Sequence, residues 1–130
     1  MKKRIPILLL LSALMFSGCA ASQKSTNTYR QITMDEAAVM MAQETGYIIL
    51  DVRRPDEFAA GHIPNAINIP NETIGTSEIP ELPNKDQLIM VYCRSGRRSK
   101  EAAGKLVKLG YTNIVEFGGI LDWKGDVEKS

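Results

Sequence analysis

Only two cysteines, one histidine and one tryptophan occur among the 130 residues, and aromatic side chains make up 6% of them. So small a supply excludes a dense disulfide framework and leaves a protein-built metal centre poorly provided. With so little aromatic area, the core has to be assembled from Ile, Leu, Val, Met and Ala. Neither sign of charge dominates. The formal net charge is +1, and without Lys2, Lys3 and Arg4 the count is 13 basic side chains against 15 acidic ones. A near-neutral body lacks the dense cationic face that nucleic acid requires, so an anionic ligand has to be small and held by local charge. No internal repeat is visible, and no apolar run reaches the roughly 20 residues of a membrane-spanning helix. What remains is 44% apolar and 24% charged residues, an ordinary balance for one globular domain, and a chain with room for only one.

The longest apolar run, Ile5 to Phe16, follows Lys2-Lys3-Arg4 and is broken only by Pro6 and Ser12. A basic start, a short apolar stretch and then small residues form the pattern of a secretory signal. Phe16-Ser17-Gly18-Cys19 resembles a bacterial lipobox, with Phe16 where Leu is usual. The resemblance implies that residues 1–18 are a lipoprotein signal peptide, cut before Cys19, whose thiol then carries diacylglycerol; a plain signal peptide followed by an unrelated Cys is the simpler alternative. Two or more acyl chains anchor a protein stably, so a membrane partner and a cell-envelope location, periplasmic or extracellular, are expected. Residues 20–28 contain no large apolar side chain and are expected to complete a flexible tether over 19–28. The folded domain is expected over 29–130. Acylation of Cys19 would leave Cys93 alone, and an odd cysteine in an exported chain points to intermolecular pairing or a reactive thiol. No second cysteine stands near Cys93, which excludes an internal dithiol mechanism.

Along the body, Thr33-Met34-Asp35-Glu36 has the form of a capping box opening a helix, with Gly46 placed to end it. Tyr47 to Val52 and Gln87 to Tyr92 are continuous runs rich in apolar residues, the pattern of strands buried on both faces. Ala66 to Ile69 and Asn113 to Phe117 are expected as further strands. Pro55 to Ala60 forms a short helix with Pro55 in its first turn, and residues 71–86 read as irregular connection. Ala102, Ala103, Leu106 and Val107 recur at helical spacing between Arg98 and Leu109, with Gly110 as terminal cap. Strands alternating with helices predict an α/β domain: a central parallel sheet flanked by helices on both faces.

Ligands of such sheets bind beyond the carboxyl ends of the strands, where helix N-termini point. Cys93 stands there, directly after one strand and before the helix expected from Arg98. The intervening Arg94-Ser95-Gly96-Arg97 can curl so that successive amides form an anion-binding nest, and Arg94, Arg97 and Arg98 add positive charge. Both effects favour a thiolate. The segment therefore reads as a nucleophile within an anion cradle rather than as a buried structural thiol.

Three segments then resemble one family, the rhodanese domains. Asp51-Val52-Arg53-Arg54-Pro55-Asp56-Glu57-Phe58 followed by Gly61-His62-Ile63-Pro64-Asn65-Ala66-Ile67-Asn68-Ile69-Pro70 is similar to their first signature, with Asn65 in place of a common Gly. Tyr92-Cys93-Arg94-Ser95-Gly96-Arg97-Arg98-Ser99 is similar to their active-site loop, and Gly118-Gly119-Ile120-Leu121-Asp122-Trp123 to their closing motif. The resemblance implies a rhodanese-like fold and a thiosulfate sulfurtransferase that needs no cofactor or metal. Cys93 would take sulfane sulfur from thiosulfate or a persulfide and pass it to a thiol or to cyanide through a Cys93 persulfide. It implies that Arg94, Ser95, Gly96, Arg97 and Arg98 bind the donor, with Arg98 also a candidate brace, and that Asp51 and Arg53 brace the loop. His62 is expected in a structural turn and Trp123 in core packing.

A dual-specificity phosphatase is the nearest enzymatic rival, because one family of them shares this fold. Such enzymes hold phosphate in a loop of Cys, five residues and Arg, whereas four residues separate Cys93 from Arg98. A tethered persulfide carrier without turnover is the rival from outside enzymology.

Overall fold

The computed structural model describes residues 28–130, and the signal, Cys19 and most of the tether named above lie outside the described residues. Five strands form one sheet, β1 (Arg30–Gln31), β2 (Ile48–Asp51), β3 (Ile67–Asn68), β4 (Ile89–Cys93) and β5 (Ile114–Gly119), in the order β1-β5-β4-β2-β3. Every pairing is parallel. Three helices connect them, α1 (Met34–Gln43), α2 (Pro55–Ala60) and α3 (Arg97–Lys108), with short 3-10 turns at Asn71–Thr73 and Ile120–Asp122. The expected α/β architecture is thus observed.

The two faces of the sheet carry separate cores. On one, Leu50, Ile89, Val91 and Ile114 pack against Ala102, Ala103 and Leu106 of α3. On the other, Ile49, Met90, Tyr92 and Phe117 pack against Met34 and Ala37 of α1, with Phe58 of α2 at the margin. Alternation along β4 sends successive side chains to opposite faces. All five of its residues are buried, as suits the central strand of a covered parallel sheet.

Two details differ from the sequence reading. The capping box forms, with Glu36 N donating to Thr33 Oγ1 at 3.1 Å and Thr33 N to Glu36 Oε1 at 3.3 Å. The helix ends at Gln43 with an extended Glu44, however, and Gly46 turns left-handed two residues beyond, so it does not cap the helix. The edge strand β1 carried no sequence signal. It has two polar residues, both exposed, held by pairing with Val115 and Glu116 and by Arg30 donating to Asn113.

Candidate active site

At the carboxyl end of β4 the chain turns through Arg94-Ser95-Gly96 into α3. Gly96 adopts φ +111°, a left-handed conformation that a side chain disfavours. This turn folds the loop back over Cys93, and Gly96 N donates to Cys93 Sγ at 3.0 Å. Lys100 N donates to Gly96 O at 3.3 Å and opens the helical ladder, so the amides before it face the loop, as at any helix N-terminus. A neighbouring motif holds the turn in place. The pairing of β4 with β5 slips between Val91 and Cys93, which sets Cys93 opposite Gly119. A Cβ on Gly119 would run into the Arg94 carbonyl and the Ser95 backbone, so the absence of a side chain there lets the loop lie flat on β5.

Cys93 is 1% exposed. Its thiol donates to Ser99 Oγ at 3.3 Å, and Ser99 is within 2.7 Å of Glu116 Oε1 and 2.9 Å of Gly96 O. Above the loop opens a cleft of about 620 Å³ bordered by Arg54, Arg94, Arg97, Arg98, Glu57 and Glu72. Its arginines differ in engagement. Arg98 makes a two-pronged pair with Glu57 at 2.6 and 3.0 Å, and this guanidinium holds the Glu57 carboxyl down at about 2. Arg97 pairs with Glu101 at 2.9 Å and Arg54 with Asp56 at 3.0 Å. Among the described residues, Arg94 alone of the four has no acidic partner, and it is exposed.

The structure therefore gathers Cys93, Arg94, Ser95, Gly96, Arg97 and Arg98 at one strand end, while dividing the arginines into one free cation and two tied ones. Asp51 and Arg53, expected to brace this loop, make no hydrogen bond to residues 94–98. Arg53 forms a buried pair with Asp51 at 2.6 Å, donates to Gly61 O and lies 5.8 Å over the Tyr92 ring, so the pair ties the end of β2 to the segment after α2. Bracing of the loop falls instead to Arg98 and Glu57. His62 stacks on Phe58 with ring centroids 3.8 Å apart and bridges to Glu128, away from the thiol's partners. Trp123 packs against the α1-side core. Sequence reasoning passed over Glu57, Ser99 and Glu116. The first two stand within the segments that resemble rhodanese motifs, and the third shows only as an acid inside an apolar strand.

Residues 33–126 match the rhodanese-like domain family. The chain belongs to that family. Among relatives of this rhodanese-like domain, a sulfurtransferase of Allochromatium vinosum is 35% identical over 96 residues, spanning 72% of this chain and 86% of the relative. The thiosulfate sulfurtransferase PspE of Escherichia coli is 36% identical over 73 residues, 56% of this chain and 70% of that one. Among solved structures, a rhodanese-related protein of Thermoplasma volcanium superposes with TM-score 0.65 at 31% identity, covering 78% of this chain and 100% of that one. In this rhodanese-like domain the loop after β4 thus offers one thiol, the Gly96 amide on its sulfur and, in Arg94, one cation without an acidic partner among the described residues.

Proposed function

We propose that the protein is a thiosulfate-type sulfurtransferase working through a Cys93 persulfide. The observation that carries this reading is the Cys93 thiol held by the Gly96 amide beneath a cleft whose free cation is Arg94. The thiolate attacks the outer sulfur of the donor. The Cys93–sulfur bond forms, the donor's own sulfur–sulfur bond breaks, and sulfite leaves with the electron pair. The persulfide anion then lies among the loop amides, which stabilise charge developing on sulfur. A thiolate or cyanide attacks the terminal sulfur, forming an acceptor persulfide or thiocyanate and returning Cys93 as thiolate. Two covalent half-reactions give ping-pong kinetics. Because the thiol is 1% exposed, a donor that ends in a small sulfur atom reaches it more readily than a bulky one, while Arg94 holds the oxygens. The basic, apolar and Gly18-Cys19 pattern supports export as a lipid-anchored protein, testable by mass analysis of the N-terminal peptide for acylated Cys19.

The purified protein is mixed with thiosulfate, weighed, and then given cyanide. Wild type should gain the mass of one sulfur and release thiocyanate over many turnovers, and Cys93→Ser should do neither. Arg94→Ala should raise KM for thiosulfate about tenfold, whereas Arg97→Ala, already tied to Glu101, should change it little. One sulfur gained without turnover would support a carrier instead, and no sulfur gained from thiosulfate or any persulfide would overturn the reading.

A further inference from the structure

Glu116 lies on β5 with 2% of its surface exposed. Among the described residues no Lys, Arg or His pairs with its carboxylate. A buried carboxylate without a cation is costly unless hydrogen bonds or a proton compensate it. Its partners are Gly118 N at 2.9 Å and the fully buried Ser99 hydroxyl at 2.7 Å, and that hydroxyl is also the partner of Cys93 at 3.3 Å. Two hydrogen bonds thus link the nucleophile to a buried acid.

A hydroxyl donates once, and Ser99 Oγ has Cys93 Sγ, Gly96 O, Glu116 Oε1 and Gly118 O around it. With Cys93 as thiol the chain is satisfied, since the thiol donates to Ser99 and Ser99 donates to Glu116. With a thiolate and a carboxylate together, two anions compete for the single Ser99 proton, and one of them faces an oxygen lone pair. The nearest cations do not reach Glu116, although the charge of Arg98 is felt at Cys93 and Lys100 lies beside the loop. On α3, Arg98 is engaged by Glu57, and the exposed Lys100 sends its Nζ to within 3.9 Å of a Cβ position on Gly96. On β1, Arg30 turns to Asn113, and Asp35 and Glu36 belong to α1 across the sheet. The β5 neighbours of Glu116, Val115 and Phe117, are apolar.

We propose that Glu116 is the proton partner of Cys93, coupled to it through the Ser99 hydroxyl, so that thiolate and persulfide anion form with the proton held on the Glu116 carboxyl. The Cys93 S–H bond breaks and its proton passes to Ser99 Oγ. The Ser99 O–H bond breaks in turn and its proton goes to Glu116 Oε1, while the electron pair stays on sulfur. Nothing is exchanged with solvent, and the pair carries one negative charge before and after. Glu116 is a positioning residue, since it acts on Cys93 only through Ser99. The persulfide half of the proposal rests on the sulfur-transfer reading; the coupling to the thiol does not.

Full-length wild type and Glu116→Gln are compared by the rate of Cys93 alkylation with iodoacetamide across pH, read on the Cys93 peptide by mass, and by infrared difference spectra on adding thiosulfate. Gln keeps an oxygen for Ser99 and Gly118 but neither charges nor takes up a proton. The alkylation midpoint of the variant should fall by about one pH unit, a tenfold gain in rate below the midpoint, because an ionised Glu116 holds the resting Cys93 as the thiol through Ser99 and Gln does not. A protonated-carboxyl band should appear when wild type is persulfidated and be missing from the variant. An unchanged midpoint in the folded variant, or a persulfide without a new carboxyl band, overturns the proposal. Should Glu116→Gln not fold, Glu116→Leu removes the same charge with an apolar side chain and is read the same way. Should thiosulfate add no sulfur, the sulfur-transfer reading fails while the alkylation midpoint still decides the coupling.

Discussion

Three arginines within five positions look alike in a sequence, and their partners make them different. Arg98 is tied to Glu57, 41 positions earlier, through both terminal nitrogens of its guanidinium. That clamp joins α2 to the start of α3 and has a pH signature. The Glu57 carboxyl is held at about 2 against an ordinary 4.5, first by the Arg98 hydrogen bonds. A depressed carboxyl contributes stability above its unfolded value and loses it as pH falls through its folded value. Glu57→Gln should therefore lower stability at neutral pH by on the order of 1 kcal/mol. Its difference from wild type should shrink as pH falls from 4.5 to about 2, followed by denaturant melts at each pH. A constant difference across that window would mean the clamp acts by packing rather than charge. Cys93 and Gly96 could be read from local order alone, because a thiol, a glycine and a helix start fall within a few residues. The division of labour among the arginines could not, since the acid that captures Arg98 is distant in sequence. Glu116 was visible only as an acid within an apolar stretch, and its meaning depends on Ser99 arriving from another element.

Strand, loop and helix are locked by contacts that no single element contains. The β4–α3 loop turns at Gly96, yet it stays flat because Gly119 of β5 leaves room for the Arg94 carbonyl. Gly119→Ala should push the loop away from β5 and move the Gly96 amide off Cys93 Sγ. The expected cost is at least ~2 kcal/mol, or roughly 10 °C in Tm. Thiocyanate release should fall with it even at temperatures where the variant is fully folded. A variant with normal Tm and normal turnover would show that the loop does not depend on this approach. Buried strands announced themselves through apolar runs, and α3 through its helical stripe, because burial leaves a periodic trace. The edge strand β1 left none, since Arg30 and Gln31 are exposed on both counts of face and edge. Gly46 misled for a related reason: a left-handed glycine marks a turn, and here that turn lies three residues past Gln43, the last residue of the helix.

Across the molecule, the two cores on opposite faces of the sheet meet at the carboxyl end of β4, where Cys93 belongs to the α3-side cluster and Tyr92 to the other. The site is therefore positioned by both faces, and the end of the chain closes the α2 side. Glu128 and His62 exchange backbone hydrogen bonds of 2.8 Å each way, and Ser130 N donates to Ala59 O at 3.1 Å. These bonds hold the end of α2, the helix that carries Glu57 to Arg98. Each backbone bond is worth about 1 kcal/mol net, and about 1.4 kcal/mol corresponds to a tenfold change in an opening equilibrium. Removal of residues 127–130 should accordingly speed amide hydrogen exchange in residues 55–62 at least tenfold, with β4 and β5 exchanging as before. A rise in exchange confined to α2 would show that the terminal segment secures one wall of the cleft. An equal rise in the central strands would show that it stabilises the domain as a whole, and the wall would then need another anchor.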